Sequence, residues 1–289
     1  MFTLADGEFE GDHISAIRSV AATGFTETEL SAEGPEWQSV AGPDPRPYRK
    51  MLDESGVWAH TIHAPFTTVN LASFNEDERV DGVERVAGAM RFLAELGGRT
   101  IIVHSTGKPT DPKAEPYYTL VNVGKATENA HRSITDLIAV AEETNVRLAL
   151  ENLPGRGSPR PLETMQELRS FMADLPEKYV GICHDVGHSR LRHLDIADEA
   201  RIASERLYAL HIQDGSTTDD DHLPPGHGVL NFDAFGKALN DINFDGAWTL
   251  EVLGKNHPGT IEDVAIECAA IHDQWREQGI GDVLSLIHI

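Results

Sequence analysis

Nine side chains able to bind a metal or move a proton sit within or just after short apolar runs of this sequence. His63 lies at the end of the run 57–64, His104 ends TIIVH and Glu151 ends VRLALE. Asp185 follows YVGIC, with His188 three residues on. His211 lies inside LYALHI, Asp220 and His222 in the segment after it, and Glu251 inside WTLEV. A lone histidine at such a place is ordinary structural material. A glutamate is not, because Glu is depleted in strands and an unpaired buried carboxylate costs several kcal/mol. Two such glutamates, an aspartate and several imidazoles call for a cation among them. Carboxylate and imidazole together suit Zn, Mn, Fe or Co rather than Ca. An ion held by two Glu, one Asp and one His can chelate neighbouring oxygens of a hydroxy-carbonyl substrate, polarise the carbonyl and stabilise an enediolate. Carboxylates on either side can remove a proton from carbon and return it, and Glu151 and Glu251 are the candidate pair.

The elements that must carry these groups alternate along the chain. Strand patterns over residues 2–4, 26–30, 57–64, 100–104, 146–151, 179–183, 207–212 and 248–252 are mostly separated by helical patterns. The helical stretches read as 14–24, 80–97, 126–143, 162–172, 196–206, 232–239 and 261–275, and the link after 26–30 carries the weakest helix signal. Eight βα repeats predict an α/β fold, a single (β/α)8 TIM barrel, whose active site forms at the C-terminal strand ends. No linker or composition break divides the chain, so residues 1–283 read as one domain. Residues 284–289, SLIHI preceded by Leu284, fall outside the repeat and read as a tail foreign to the fold.

The chain has 289 residues and a formal net charge of −23, from 24 Lys and Arg against 47 Asp and Glu. A hydrophobic fraction of 40% is enough for a large core,. So acidic a surface repels phosphodiester backbones and anionic membranes, which argues against nucleic-acid and membrane partners. Cys183 and Cys268 have no metal-type spacing and read as buried thiols in a reducing compartment. No basic leader or membrane-length apolar run is visible, so a cytoplasmic protein is expected.

The segments IHAPF (62–66), IIVH (101–104), LENLPG (150–155), CHDVGH (183–188), LHIQDG (210–215), DDDHLPPGHG (219–228) and LEV (250–252) together resemble the xylose-isomerase-like TIM-barrel superfamily over residues 12–270. The resemblance implies a metal-dependent sugar or sugar-phosphate isomerase or epimerase. Glu151, Asp185, His211 and Glu251 would hold one Mn, Co, Zn or Mg ion, with Glu151 and Glu251 as the acid/base pair. His188, and His63 or His104, would bind substrate hydroxyls, with Asp220 and His222 as further substrate or metal groups. His227 stands where this HLPPG-type loop is often acidic. A homo-oligomer fits such a family.

Two alternatives share the same residues. The AP-endonuclease branch, a three-zinc phosphodiesterase, has a ligand pattern that lies over all nine positions from His63 to Glu251. The acidity, the acidic loop 216–221 and the opening segment FTLADGEFEGD argue against it. A lyase or dehydratase of a keto-sugar or keto-inositol would use the same apparatus, with His188 or His222 as the acid beside the leaving group. Lys255 and Arg190 are the cations nearest the rim in sequence and read as surface charges, which favours an unphosphorylated substrate. Only 7 Lys stand against 17 Arg, and with so many carboxylates this balance is also that of a protein adapted to high salt.

Overall fold

Eight strands pair in parallel in sequence order: Phe2–Ala5 (β1), Glu27–Ser31 (β2), Trp58–His63 (β3), Thr100–Val103 (β4), Arg147–Glu151 (β5), Val180–Asp185 (β6), Leu207–Ile212 (β7) and Ala247–Leu250 (β8). β1 pairs with both β2 and β8, which closes the barrel. The computed structural model describes residues 2–5, 12–107, 119–154, 160–252 and 259–277. Lys255 and the tail at 284–289 lie outside them. Strands β4 and β6 to β8 are buried along their whole length, which is why they read as near-continuous apolar runs,.

The helices are His13–Ala22 (α1), Pro45–Ser55 (α2), Glu76–Leu96 (α3), Val123–Thr144 (α4), Met165–Phe171 (α5), Val186–Leu191 (α6), Ile196–Ala203 (α7), Phe232–Asp241 (α8) and Ile261–Glu277 (α9). Local chemistry fixes their ends. Asn75 caps α3 by accepting from the Asp77 amide, Glu76, Asp77 and Glu78 complement its first turn, and Gly97 ends it in the left-handed region at φ 80°,. Thr164 and Glu167 form a reciprocal capping box on α5,. The helix read from residue 162 therefore starts at Met165.

The core has two parts. The larger lies between strands and helices and includes Ile17, Leu30, Met90, Leu93, Ile134, Leu148, Leu210 and Trp248. A smaller cluster of Ile102, Ala149, Cys183, Tyr208, Ala209 and Ala247 includes the small side chains that plug the barrel,. Cys183 and Cys268 are free and buried, as expected. Among the described residues, no helix is long and apolar enough to cross a membrane.

Candidate active site

Strand alternation explains why the polar residues meet. Side chains two apart on a strand share a face. The plug residues Ile102, Ala149, Cys183 and Ala209 are each followed two positions on by His104, Glu151, Asp185 and His211, and Ala247 is followed by Thr249 and Glu251. An apolar layer therefore supports a polar one at the C-terminal rim.

Glu151 is the hub of that layer. Its Oε2 lies 3.0 Å from His104 Nε2, 3.4 Å from His63 Nε2 and 3.5 Å from His211 Nδ1. Its Oε1 lies 3.1 Å from His188 Nδ1. Glu251 Oε2 lies 3.4 Å from His211 Nδ1. Asp185 ends β6 and caps α6, with Oδ1 accepting the His188 amide at 2.8 Å and Oδ2 3.4 Å from His188 Nδ1. Asp220 bridges His188 Nε2, at 3.8 Å, and His222 Nε2, at 3.4 Å. All nine residues expected at the rim thus stand in one connected group.

Further residues position them. Asn152 ties β5 to β6: its amide donates to Asp185 O at 3.0 Å and its oxygen accepts the Asp185 N–H at 2.8 Å. Gln213 Nε2 reaches Asp185 at 3.3 Å and Asp220 at 3.5 Å. The buried Asp214 carboxylate accepts the amides of Gly215, Gly226, Gly228 and Leu230 at 2.8 to 3.2 Å. The β7–α8 loop is thereby wound around one side chain. A Cβ on Gly228 would stand 2.2 Å from Asp214 Oδ1, which explains the second glycine of PPGHG. Arg190 is not a surface charge: it is buried, and its Nη2 donates to Asp219 O at 2.7 Å, holding the same loop. His227, on the same loop, pairs with Glu267 of α9.

Glu29 was not anticipated. It lies on β2, is buried and stands 3.0 Å from His211 Nε2. The sequence signal was present in TETEL, where Glu29 sits inside a strand while Glu151 ends β5 and Glu251 follows β8 by one residue.

The electrostatics separate the two proton-transfer candidates. Burial alone would raise both. His104 and His211 hold the Glu151 carboxyl ionised, well below the usual carboxylate range. In Glu251 burial prevails over His211 and His222, and its pKa rises to about 7. Burial lowers His104 to about 4 despite Glu151. For His188, the carboxylates of Asp185, Asp220 and Glu151 outweigh burial and hold the ring protonated. His222 is raised to about 9, burial being overcome by Asp220 and Glu251.

The donor set fits a metal. Ligand atoms of Glu151, Asp185 and His211 lie within 4.8 Å of one another, and so do those of His63, His104 and Glu151. Glu251 stands outside the first trio and reaches it through His211. Three imidazoles donate Nδ1–H to a backbone carbonyl: His63 to Ala64 at 2.8 Å, His188 to Asn152 at 2.8 Å and His222 to Glu251 at 2.9 Å. Each then turns Nε2 toward a carboxylate, the orientation that outer-shell partners give ligating histidines. Among the described residues, His211 Nδ1 is buried with no hydrogen-bond partner, between two carboxylates.

Comparison with known proteins places the chain among similar barrels. The profile described as xylose isomerase-like TIM barrel matches residues 17–273. An uncharacterised protein of Methanocaldococcus jannaschii is 26% identical over 239 residues, 82% of this chain and 78% of that one. The D-psicose 3-epimerase of Enterocloster bolteae is 28% identical over 247 residues, 84% of this chain and 78% of that one. A solved D-tagatose 3-epimerase-like protein superposes with a TM-score of 0.80 at 24% identity, covering 96% of this chain and 97% of that one. That structural likeness speaks to the fold alone.

Proposed function

The chain belongs to the xylose isomerase-like TIM-barrel family, and from that premise we propose that it is a metal-dependent epimerase or isomerase of a small polyhydroxy ketone or aldehyde. The carrying observation is that Glu151 and Glu251 flank one atom, His211 Nδ1, at 3.5 and 3.4 Å; His104 and His211 hold the first ionised, whereas burial raises the second to about 7. The epimerase among its relatives supports the reaction class.

Glu151, Asp185, His211 and Glu251 would hold the ion. A divalent ion bound there supplies Lewis acidity to neighbouring substrate oxygens. Glu151, kept ionised, takes the proton from the carbon beside the carbonyl. Glu251, with a pKa near neutrality, carries a proton to return on the opposite face; two carboxyls with separated pKa values is the pattern of acid/base division,. His188, held protonated, donates to a substrate oxygen as charge develops there,. His63 and His104 bind substrate hydroxyls, and Asp220 and His222 close the rim. Arg190 is buried and held to Asp219 O beneath the loop rather than turned outward, which favours an unphosphorylated substrate.

Two measurements test this. The purified protein should carry about one divalent ion per chain or gain thermal stability on adding Mn, Co or Zn; a protein that does neither refutes it. Incubation with ketohexoses in deuterated water should give an isomeric sugar labelled at one carbon. A product lighter by one water would instead assign a dehydratase.

The His63, His104 and Glu151 group beside the first trio favours a second reading, the three-zinc phosphodiesterase, with His188, Asp220 and His222 as the third set. About three zinc ions per chain with cleavage of an abasic duplex would establish it. The net charge of −23 works against gripping such a substrate,.

A further inference from the structure

Four imidazoles of the rim have one nitrogen engaged by a neighbour that leaves the other facing the site. For His63, His188 and His222 that neighbour is a backbone carbonyl. His211 differs, because its Nε2 faces a carboxylate from the far side of the barrel. We propose that Glu29 is a positioning residue that makes Nδ1 the metal-ligating nitrogen of His211 and strengthens it as a ligand. The proposal rests on the reading of the rim as a metal centre.

Three strands fix the carboxylate. Glu29 on β2 is 2% exposed, and its Oε2 accepts the hydroxyl of Thr61 on β3 at 2.7 Å and of Thr249 on β8 at 3.4 Å. Its Oε1 is left to His211 Nε2 at 3.0 Å. A carboxylate only accepts, so Nε2 must carry the hydrogen. In a ring with one proton, the lone pair is then on Nδ1, which stands between Glu151 at 3.5 Å and Glu251 at 3.4 Å and has no hydrogen-bond partner among the described residues. Turning the ring over would take the N–H away from Glu29, and two threonine hydroxyls cannot replace it for a buried anion. The ring cannot turn freely in any case, being fully buried and stacked on His63 with centroids 5.8 Å apart. A carboxylate behind a ligating imidazole also raises its basicity, and loss of such a partner typically lowers metal affinity about 10–100-fold.

The test uses the intact chain, labelled with 15N-histidine and titrated with 113Cd, alongside Glu29→Gln and Glu29→Leu. In the parent protein, cadmium coupling should appear on His211 Nδ1, together with a slowly exchanging Nε2 proton. Glu29→Leu should bind cadmium about 10–100-fold more weakly and lose that protected proton. Glu29→Gln, which keeps an acceptor but not the charge, should fall between and decides the matter if the leucine variant fails to fold. Cadmium coupling on Nε2, or variants binding as tightly as the parent with an unchanged Nε2 signal, would overturn the role of Glu29 while leaving the metal centre intact. A parent protein that takes up no cadmium would overturn the metal reading and this proposal with it.

Discussion

Glu151 and Glu251 reach the same nitrogen from different strands, at 3.5 and 3.4 Å from His211 Nδ1. Their surroundings differ. Glu151 is enclosed by four imidazoles, whereas Glu251 stands one residue beyond β8 and its side chain is 23% exposed. Glu251→Gln should retain the fold and lower turnover by about 10²–10⁴-fold, with loss of solvent deuterium incorporation. Deuterium incorporation at the parent rate would remove Glu251 from proton transfer.

The same variant has a stability signature in the metal-free protein. Glu251 has a folded pKa of about 7 against 4.5. Its contribution is therefore fully present below pH 4.5 and is lost as pH rises through about 7. Glu251→Gln, which cannot ionise, should melt with the parent near pH 4.5 and above it near pH 8. The gain is at most about 3 kcal/mol, reduced by the exposure of the side chain. Calorimetry showing one Tm difference at both pH values would contradict this.

Asp214 makes no contact with substrate in the proposed reaction, yet the rim depends on it. It gathers four backbone amides of the loop that delivers Asp220 and His222. Removing it leaves those donors without their acceptor, each bond to a charged group being worth about 1.5–3 kcal/mol. Asp214→Ala should raise amide exchange across residues 215–230 and lower kcat at least tenfold, with far less effect on exchange in β4 and β5. Unchanged exchange in the loop would show that the backbone holds itself.

Much of this is legible in the sequence, for a physical reason: a polar residue inside an apolar run betrays itself. That sufficed for all eight strands and for the rim residues within or just past them, whereas Asp220 and His222, eight and ten residues beyond β7, were found by their ligand type in the loop that follows it. The helices missed are those with few apolar residues or few turns. α2, PRPYRKMLDES, buries only Tyr48 and Leu52, and α6 has six residues. Glu29 escaped because TETEL alternates, and alternation reads as one face in water. In a closed barrel both faces of β2 are covered, and Glu27, Thr28 and Glu29 are all buried. Arg190 was misread because nothing in CHDVGHSR says that the chain folds back over it.

His222 gives the rim a pH limit. Its backbone is in the left-handed region at φ 50°, and its ring is anchored to Glu251 O and Asp220. Asp220 and Glu251 raise its pKa to about 9 against burial. The ion pair is therefore fully present below pH 6.5 and lost as pH rises through about 9. In the metal-free protein, residues 219–223 should exchange faster across that interval after correction for intrinsic rates, and His222→Gln should flatten the dependence. A parent protein with pH-independent protection would show that the pair does not hold the loop.

The charge of −23 sets two salt effects against each other. Surface pairs such as Arg91–Glu143, Arg169–Glu205 and Arg201–Asp241 weaken as salt screens them,. Repulsion among the carboxylates weakens too. The second effect is the larger, because 47 carboxylates face 24 Lys and Arg, so an excess remains even if every cation is paired. An exposed pair is worth about 0–1 kcal/mol, whereas repulsion is summed over the whole surface. Raising KCl from millimolar to molar should therefore raise the Tm and preserve catalysis; chloride is the suitable salt because sulfate stabilises by surface exclusion. A Tm that falls over that range would mean that the pairs outweigh the repulsion, and that the acidity is no adaptation to salt.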